Sequence, residues 1–237
     1  MYQTKTCQAF ALFCTALIAG GCWLSASPSA LANLPTVKAL AKPPTSGKPG
    51  GLSPGGSRPP DCLGKNNLYS LTPRDGGTAT GHPIILVYVP PTDAVEGRFV
   101  LKDENNQPVY TTQFALKGNA INGVPLPPGA FAGLEVGKRY EWIFSVTCDA
   151  EALDTSPSFK GWITRGELDA STAAHLAVAS PLERISLYQQ EGLWYDGLGM
   201  VAELRRSNPY DRDLIAVWTK LLKSAGLDEP IIAAPLF

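Results

Sequence analysis

The sequence predicts an α+β protein that is mostly β: an antiparallel β-sandwich followed by a short α-helical, repeat-like C-terminal segment. Three observations carry this reading. Leu63 to Arg165 is divided into short runs rich in β-branched and aromatic residues, separated by Pro, Gly, Asn and Asp clusters. Several of those runs alternate apolar and polar residues with the period of two that a half-buried strand requires. Beyond Gly166 the apolar residues recur instead at helical spacing.

The chain opens with a targeting layout. Lys5 stands in a short polar start, a mainly apolar run extends from Ala9 to Leu24, and Ala30-Leu31-Ala32 supplies a small-x-small cleavage signal. Residues 1–32 are therefore expected to be a signal peptide. The apolar run is shorter than the roughly 20 residues that cross hydrocarbon comfortably, and no later segment resembles a membrane span, so the mature chain is expected to lack one. A competing reading takes Ala19-Gly20-Gly21-Cys22 as a lipoprotein signal, with Cys22 acylated and retained. The protein is expected in the periplasm, cell envelope or extracellular space on either reading.

Residues 33–61 form a Pro/Gly-rich linker. Eleven of the eighteen residues from Pro43 to Pro60 are Pro or Gly, and the remainder offer too little apolar surface to offset the entropy of ordering them. The only charges between Asn33 and Pro60 are Lys38, Lys42, Lys48 and Arg58. Such a tether can space a domain from a surface and lean on an anionic envelope polymer; as a solvated linker its charge is incidental.

Loss of the leader removes Cys7, Cys14 and Cys22 and leaves Cys62 and Cys148. In an oxidising compartment the expectation is one disulfide closing a long loop, worth about 4 kcal/mol in the chain-entropy account. The alternative is a pair of separate buried thiols.

Residues 62–166 carry the strands. Ile84 to Val89 is continuously apolar, the pattern of a strand covered on both faces, and Pro90-Pro91 ends it by removing ladder donors. Arg98 to Asp103 and Val109 to Leu116 flank the turn Glu104-Asn105-Asn106-Gln107 and read as a hairpin. From Lys138 to Cys148, Tyr140, Trp142, Phe144, Val146 and Cys148 share one face while Arg139, Glu141, Ser145 and Thr147 share the other. Ser158 to Arg165 supplies a further strand. About seven short strands with no helical period between them fit an immunoglobulin-like sandwich.

Residues 167–237 are expected to form a helical segment packed on the sandwich. Leu182, Ile185, Leu187 and Tyr188, then Leu198, Val201 and Leu204, then Leu214, Val217, Trp218, Leu221 and Leu222 define two to three amphipathic helices. Ser180 followed by Pro181 suits a helix start, and Asn208-Pro209 and Gly226 suit stops. The apolar tail beyond Asp228 can pack back on the sandwich.

Two resemblances accompany these elements. Tyr188, Gly192, Trp194, Tyr195, Leu198 and Pro209 resemble the second half of a tetratricopeptide repeat. Such repeats need neighbours to stack, which implies that a lone one lies against the sandwich. The larger resemblance spans roughly Cys62 to Leu227. It rests on Tyr88-Val89-Pro90, Phe99-x-Leu101-x-Asp103, Gly137-Lys138-x-Tyr140-x-Trp142-x-Phe144-Ser145-x-x-Cys148-Asp149, Gly161-Trp162-Ile163-x-Arg165, Leu187-Tyr188-x-x-x-Gly192-x-Trp194-Tyr195-Asp196 and Glu203-Leu204-Arg205. With these residues the chain is similar to the cyanobacterial family called domain of unknown function 928. The resemblance implies compartment, lineage and fold, and brings no activity or catalytic residue. Leu63 departs from the pattern, which expects Pro after the first cysteine.

Catalytic and metal chemistry have little to draw on. The two histidines, His82 between Gly81 and Pro83 and His175 in an Ala-rich stretch, lack the partners of a triad or a zinc site. No nucleophile elbow, phosphate-cradling loop, C-x-x-C pair or dinucleotide fingerprint occurs, so no cofactor, metal or catalytic residue is assigned. A carboxylate pair for glycoside hydrolysis could come only from turn-like acids, Asp103, Glu104, Asp149, Glu151 and Asp154. With a formal net charge of −1 the chain has no overall field for nucleic acid; any basic patch must be local.

The aromatic residues are the better lead. Trp162, Arg165, Trp194 and Tyr195 form the candidate interaction surface, because exposed rings serve sugar and protein contacts. The plainer reading has Trp194 and Tyr195 fill the seam between helices and sandwich, with Arg165, Glu203 and Arg205 forming ion pairs there. The expectation is an exported, non-catalytic binding or adaptor module of the cell envelope whose partner is a protein or glycan; a hydrolase using two carboxylates is the alternative.

Overall fold

The computed structural model describes residues 62–63, 66–94, 96–148 and 156–237. The expected signal peptide and linker, Cys22, and the turn acids Asp149, Glu151 and Asp154 lie outside the described residues. Among those described, the fold is mixed and mostly β, with eight strands followed by five helices. The strands are β1 (Tyr69–Ser70), β2 (Asp75–Thr78), β3 (Ile84–Val89), β4 (Glu96–Lys102), β5 (Pro108–Ala115), β6 (Ala120–Pro125), β7 (Arg139–Thr147) and β8 (Ser158–Arg165). The helices are α1 (Ala170–Val178), α2 (Pro181–Gln190), α3 (Trp194–Ser207), α4 (Arg212–Ser224) and α5 (Glu229–Ile232).

The strands make two sheets, one of three strands in the order β1-β3-β6 and one of five in the order β2-β8-β7-β4-β5. All pairings are antiparallel except β2 with β8, which run parallel. That exception corrects the wholly antiparallel expectation. After β1 pairs with β3, the chain crosses in a few residues to the far edge of the other sheet, and Asp75-Gly76-Gly77-Thr78 there has no β-branched or aromatic run to announce a strand.

The continuous apolar run of β3 reflects a layer buried on both sides. Ile85, Val87 and Val89 join Val124 of β6 and face Phe99, Leu101, Trp142, Phe144, Val146, Phe159 and Ile163 of the larger sheet in one core. Leu86, Tyr88 and Ile121 face the other way, into a second core with Trp194, Leu198, Val201, Trp218, Leu221 and Leu222 of the helices. The molecule is thus layered as five-stranded sheet, three-stranded sheet, helices. Side-chain rows on the larger sheet instead alternate, as in β7, where Tyr140, Trp142, Phe144 and Val146 are buried and their neighbours are not.

Helix boundaries follow the capping chemistry of the sequence. Asp169 caps α1 by accepting from the Ser171 and Thr172 amides. Ser180 and Glu183 form a reciprocal capping box at α2, with Pro181 in the first turn. Gly192 turns the chain from α2 into α3 at φ +73°, a region that suits a residue without Cβ. The C-terminal tail then returns to the three-stranded sheet. The Ile121 amide donates to the Pro235 carbonyl and the Phe237 amide to the Ile121 carbonyl, both at 2.8 Å, so the tail covers the β6 edge that would otherwise offer unpaired backbone.

A disulfide joins Cys62 to Cys148, with Cα atoms 5.6 Å apart and a sequence separation of 86. It ties the segment ahead of β1, on the smaller sheet, to the end of β7 on the larger.

Candidate functional site

The four aromatic and basic residues singled out from the sequence separate into two groups. Trp194 and Tyr195 are buried to 1% exposure, which removes them from any surface and bears on their geometry instead. Trp194 lies in the core between helices and three-stranded sheet. Tyr195, one residue on, turns the other way and enters the core between the sheets. Its hydroxyl accepts from the Trp142 Nε1 at 2.7 Å and donates to the Trp162 carbonyl at 3.3 Å. Gly76 makes this insertion possible, since a Cβ there would stand 2.7 Å from the Tyr195 ring. Burial pushes the Tyr195 phenol well above its usual range, so it is a neutral strut.

Asp196 completes the seam. Its carboxylate accepts from the Ala79 amide at 3.0 Å and the Thr80 amide at 3.2 Å, holding the loop after β2 to the start of α3. Desolvation pushes its carboxyl up despite those hydrogen bonds.

Arg165 is likewise structural. Its guanidinium donates to the Ala79 and Leu134 carbonyls and packs over Gly81. The ion pairs expected among Arg165, Glu203 and Arg205 do not form among the described residues. Glu203 pairs with Arg206 one turn along its own helix at 3.6 Å, and Arg205 lies over the Trp218 ring at 4.9 Å. Helical periodicity decides this: Arg205 shares its face with the buried stripe and so meets an aromatic ring.

Trp162 remains, on the outward face of the five-stranded sheet. Strand register builds that face row by row. Asp75, Trp162, Glu141 and Lys102 stand side by side across β2, β8, β7 and β4. At a strand spacing of about 4.8 Å that row is about 14 Å long. The adjacent row is Lys160, Ile143, Val100 and Thr111, and beyond it come Ser158, Ser145, Arg98 and Gln113. Three cations gather on the Trp162 ring: Arg139 at 5.2 Å, Arg74 at 5.3 Å and Lys160 at 5.4 Å from its centroid. Two of these are also ion-paired, Arg139 to Asp75 and Lys160 to Glu141, each at 2.6 Å.

The sequence placed Arg139 and Glu141 on the outer side of their strand and missed the cluster they join. Lys160 precedes Trp162 by two residues in a strand, so its presence on the same face was readable from the period. Arg74 was not readable, because it reaches Trp162 only through the unannounced parallel pairing of β2.

Of the other candidates for chemistry, Asp103, Glu104, His82 and His175 lie among the described residues. Asp103 accepts from the Asn105 and Gln107 amides and holds the β4–β5 turn, while Glu104 is exposed and accepts from the Arg139 amide at 3.4 Å. His82 meets the Leu126 carbonyl through Nδ1 at 3.0 Å, and His175 is exposed on α1. Among the described residues no three His, Cys, Asp or Glu side chains gather as a metal site would require. No described helix is long and apolar enough to cross a membrane. An open cleft of about 560 Å³ lies beside the disulfide, lined by Cys62, Asn66, Thr92, Asp93 and Asn119 among others.

Residues 53–236 match the family described as Domain of Unknown Function (DUF928). The chain belongs to this family. The DUF928 match covers both sheets and all five helices, so the Trp142–Tyr195 hydrogen bond and the Asp196 anchor join parts of one family unit. No curated protein matches the chain.

Proposed function

We propose that this DUF928 protein is an exported, non-catalytic binding or adaptor module of the cell envelope, and that its binding face is the outer side of the five-stranded sheet centred on Trp162. The observation that carries the reading is the gathering of Arg74, Arg139 and Lys160 on the one tryptophan among Trp142, Trp162, Trp194 and Trp218 that is not fully buried. A large ring on an open sheet face, with hydrogen-bonding cations around it, has the composition of an interaction hot spot.

Export is the reading of the leader, and the linker that follows supplies reach from an envelope surface. The disulfide is in keeping with an oxidising compartment. Strand order supports an immunoglobulin-like sandwich: β8-β7-β4-β5 follows the G-F-C-C′ order and β1-β3-β6 the A-B-E order of such domains. The buried tryptophan differs, since Trp142 stands on the strand in the F position. The helix pair α2–α3, turned at Gly192, supports a single repeat-like hairpin that stacks on a sheet in place of a neighbouring repeat.

Photocrosslinking in intact envelopes tests the proposal. The wild-type chain should capture envelope material through positions on the Trp162 face, above the level of the linker alone, and Trp162→Ala should lose that capture while remaining folded and exported. Capture equal to the linker control, or unchanged by Trp162→Ala, contradicts it.

A further inference from the structure

We infer that the ligand of the Trp162 face is an acidic polysaccharide, one bearing carboxylates or sulfates along an extended chain; this rests on the binding reading above and gives it a chemical class. The first ground is charge. The whole chain has 20 basic and 21 acidic residues, yet among the described residues the outer face and its margin hold Arg74, Arg98, Lys102, Arg139 and Lys160 against Asp75, Glu96, Glu104 and Glu141. The local excess among the described residues is one positive charge, on a chain whose formal net charge is −1. Asp75 and Glu141 are taken up by Arg139 and Lys160, whereas Arg74 is exposed and, among the described residues, has only the Trp162 ring. A guanidinium on an aromatic plane keeps its fork of donors turned outward, the geometry that matches a carboxylate or sulfate.

The second ground is shape. The rows through Trp162 and Ile143 each cross four strands, with threonine and serine hydroxyls at Thr111, Thr164, Ser145 and Ser158 around the ring and cations. An extended polymer can lie along such rows, its acid groups on the cations and its hydroxyls on the polar side chains. The third ground lies outside the sheet. No acidic residue occurs before Asp61, and the linker is charged only by Lys38, Lys42, Lys48 and Arg58, so it would raise the on-rate toward the same polymer without competing for it.

The experiment uses the protein in its processed form and follows retention in gels containing polygalacturonate, dextran sulfate or neutral dextran, with duplex DNA as a competitor. Retention by the two acidic polymers, none by neutral dextran, and weakening with added salt are expected. Trp162→Ala and the separate double variant Arg74→Ala/Lys102→Ala should each weaken retention about tenfold, with melting behaviour confirming the fold. Lys220→Ala, on the exposed side of α4, should leave it unchanged. Neutralising the four linker cations should weaken it far less than the face variants do. No retention by either acidic polymer, equal retention by neutral dextran, tighter binding of DNA, or loss only with the linker variant each overturns the inference. If retention fails while Trp162→Ala still abolishes envelope crosslinking, the face binds something else and the binding reading stands; if both fail, both fall.

Discussion

The two sheets differ in what covers them. The three-stranded sheet is buried on both faces, between the larger sheet and the helices, and its central strand β3 is apolar at every position. The five-stranded sheet is buried on one face, and its strands alternate. In the first, nearly every side chain is committed to packing, with Pro125 at the end of β6 exposed. In the second, the outward rows are released from that duty, and the partly exposed Trp162 with its cations stands among them. A side chain's freedom to bind thus follows from its layer, and the same residue type does opposite work in the two places: Trp142 fills a core and Trp162 faces solvent.

Substitutions can break or sharpen that contrast. The largest effect is expected from Trp142→Ala, which empties a fully buried site stacked with Phe99 and edge-on to Phe159; a loss of about 3–5 kcal/mol in denaturant-unfolding stability is predicted. Next comes Tyr195→Phe. It keeps the ring but leaves the Trp142 Nε1 without its acceptor, and a buried unsatisfied donor should cost about 1–3 kcal/mol.

Asp196 should give a smaller, pH-dependent effect. Burial raises its folded-state carboxyl above the unfolded value, so the folded protein holds the proton longer as pH rises. Stability should therefore fall as pH climbs from the usual aspartate range through the folded-state value, then level off. Thermal melts of wild type and Asp196→Asn over acidic pH should differ by that decline; an opposite slope in the difference would contradict the burial argument. The smallest effect belongs to Trp162→Ala. It removes outward-facing contacts and should change stability by under about 1 kcal/mol, against the several kcal/mol of Trp142→Ala. Comparable losses at the two sites would erase the distinction between the faces.

Much of the architecture was legible because burial imposes a period. The continuous run Ile84–Val89 announced a doubly covered strand, the alternation of Lys138–Cys148 announced its inward face, and Ser180-Pro181 announced the start of α2. Local patterns failed where the cause was distant. Nothing in Asp75–Thr78 signals a strand, since its pairing with β8 and the space Gly76 yields to Tyr195 are set by residues far along the chain. The candidate surface was half legible for the same reason. Adjacent Trp194 and Tyr195 read either as outward rings or as fillers of the seam between helices and sandwich, and each side of the first turn of α3 meets a different core. Trp162 was singled out, but its cation cluster needed the sheet register.

The difference between the two sheets is tested most directly by hydroxyl-radical footprinting of the protein, free and with polygalacturonate. The account predicts that Trp162 alone among Trp142, Trp162, Trp194 and Trp218 is oxidised readily in the free protein and becomes protected when the polymer is added. Equal oxidation of Trp142 or Trp194, or a Trp162 whose reactivity the polymer leaves untouched, would contradict it.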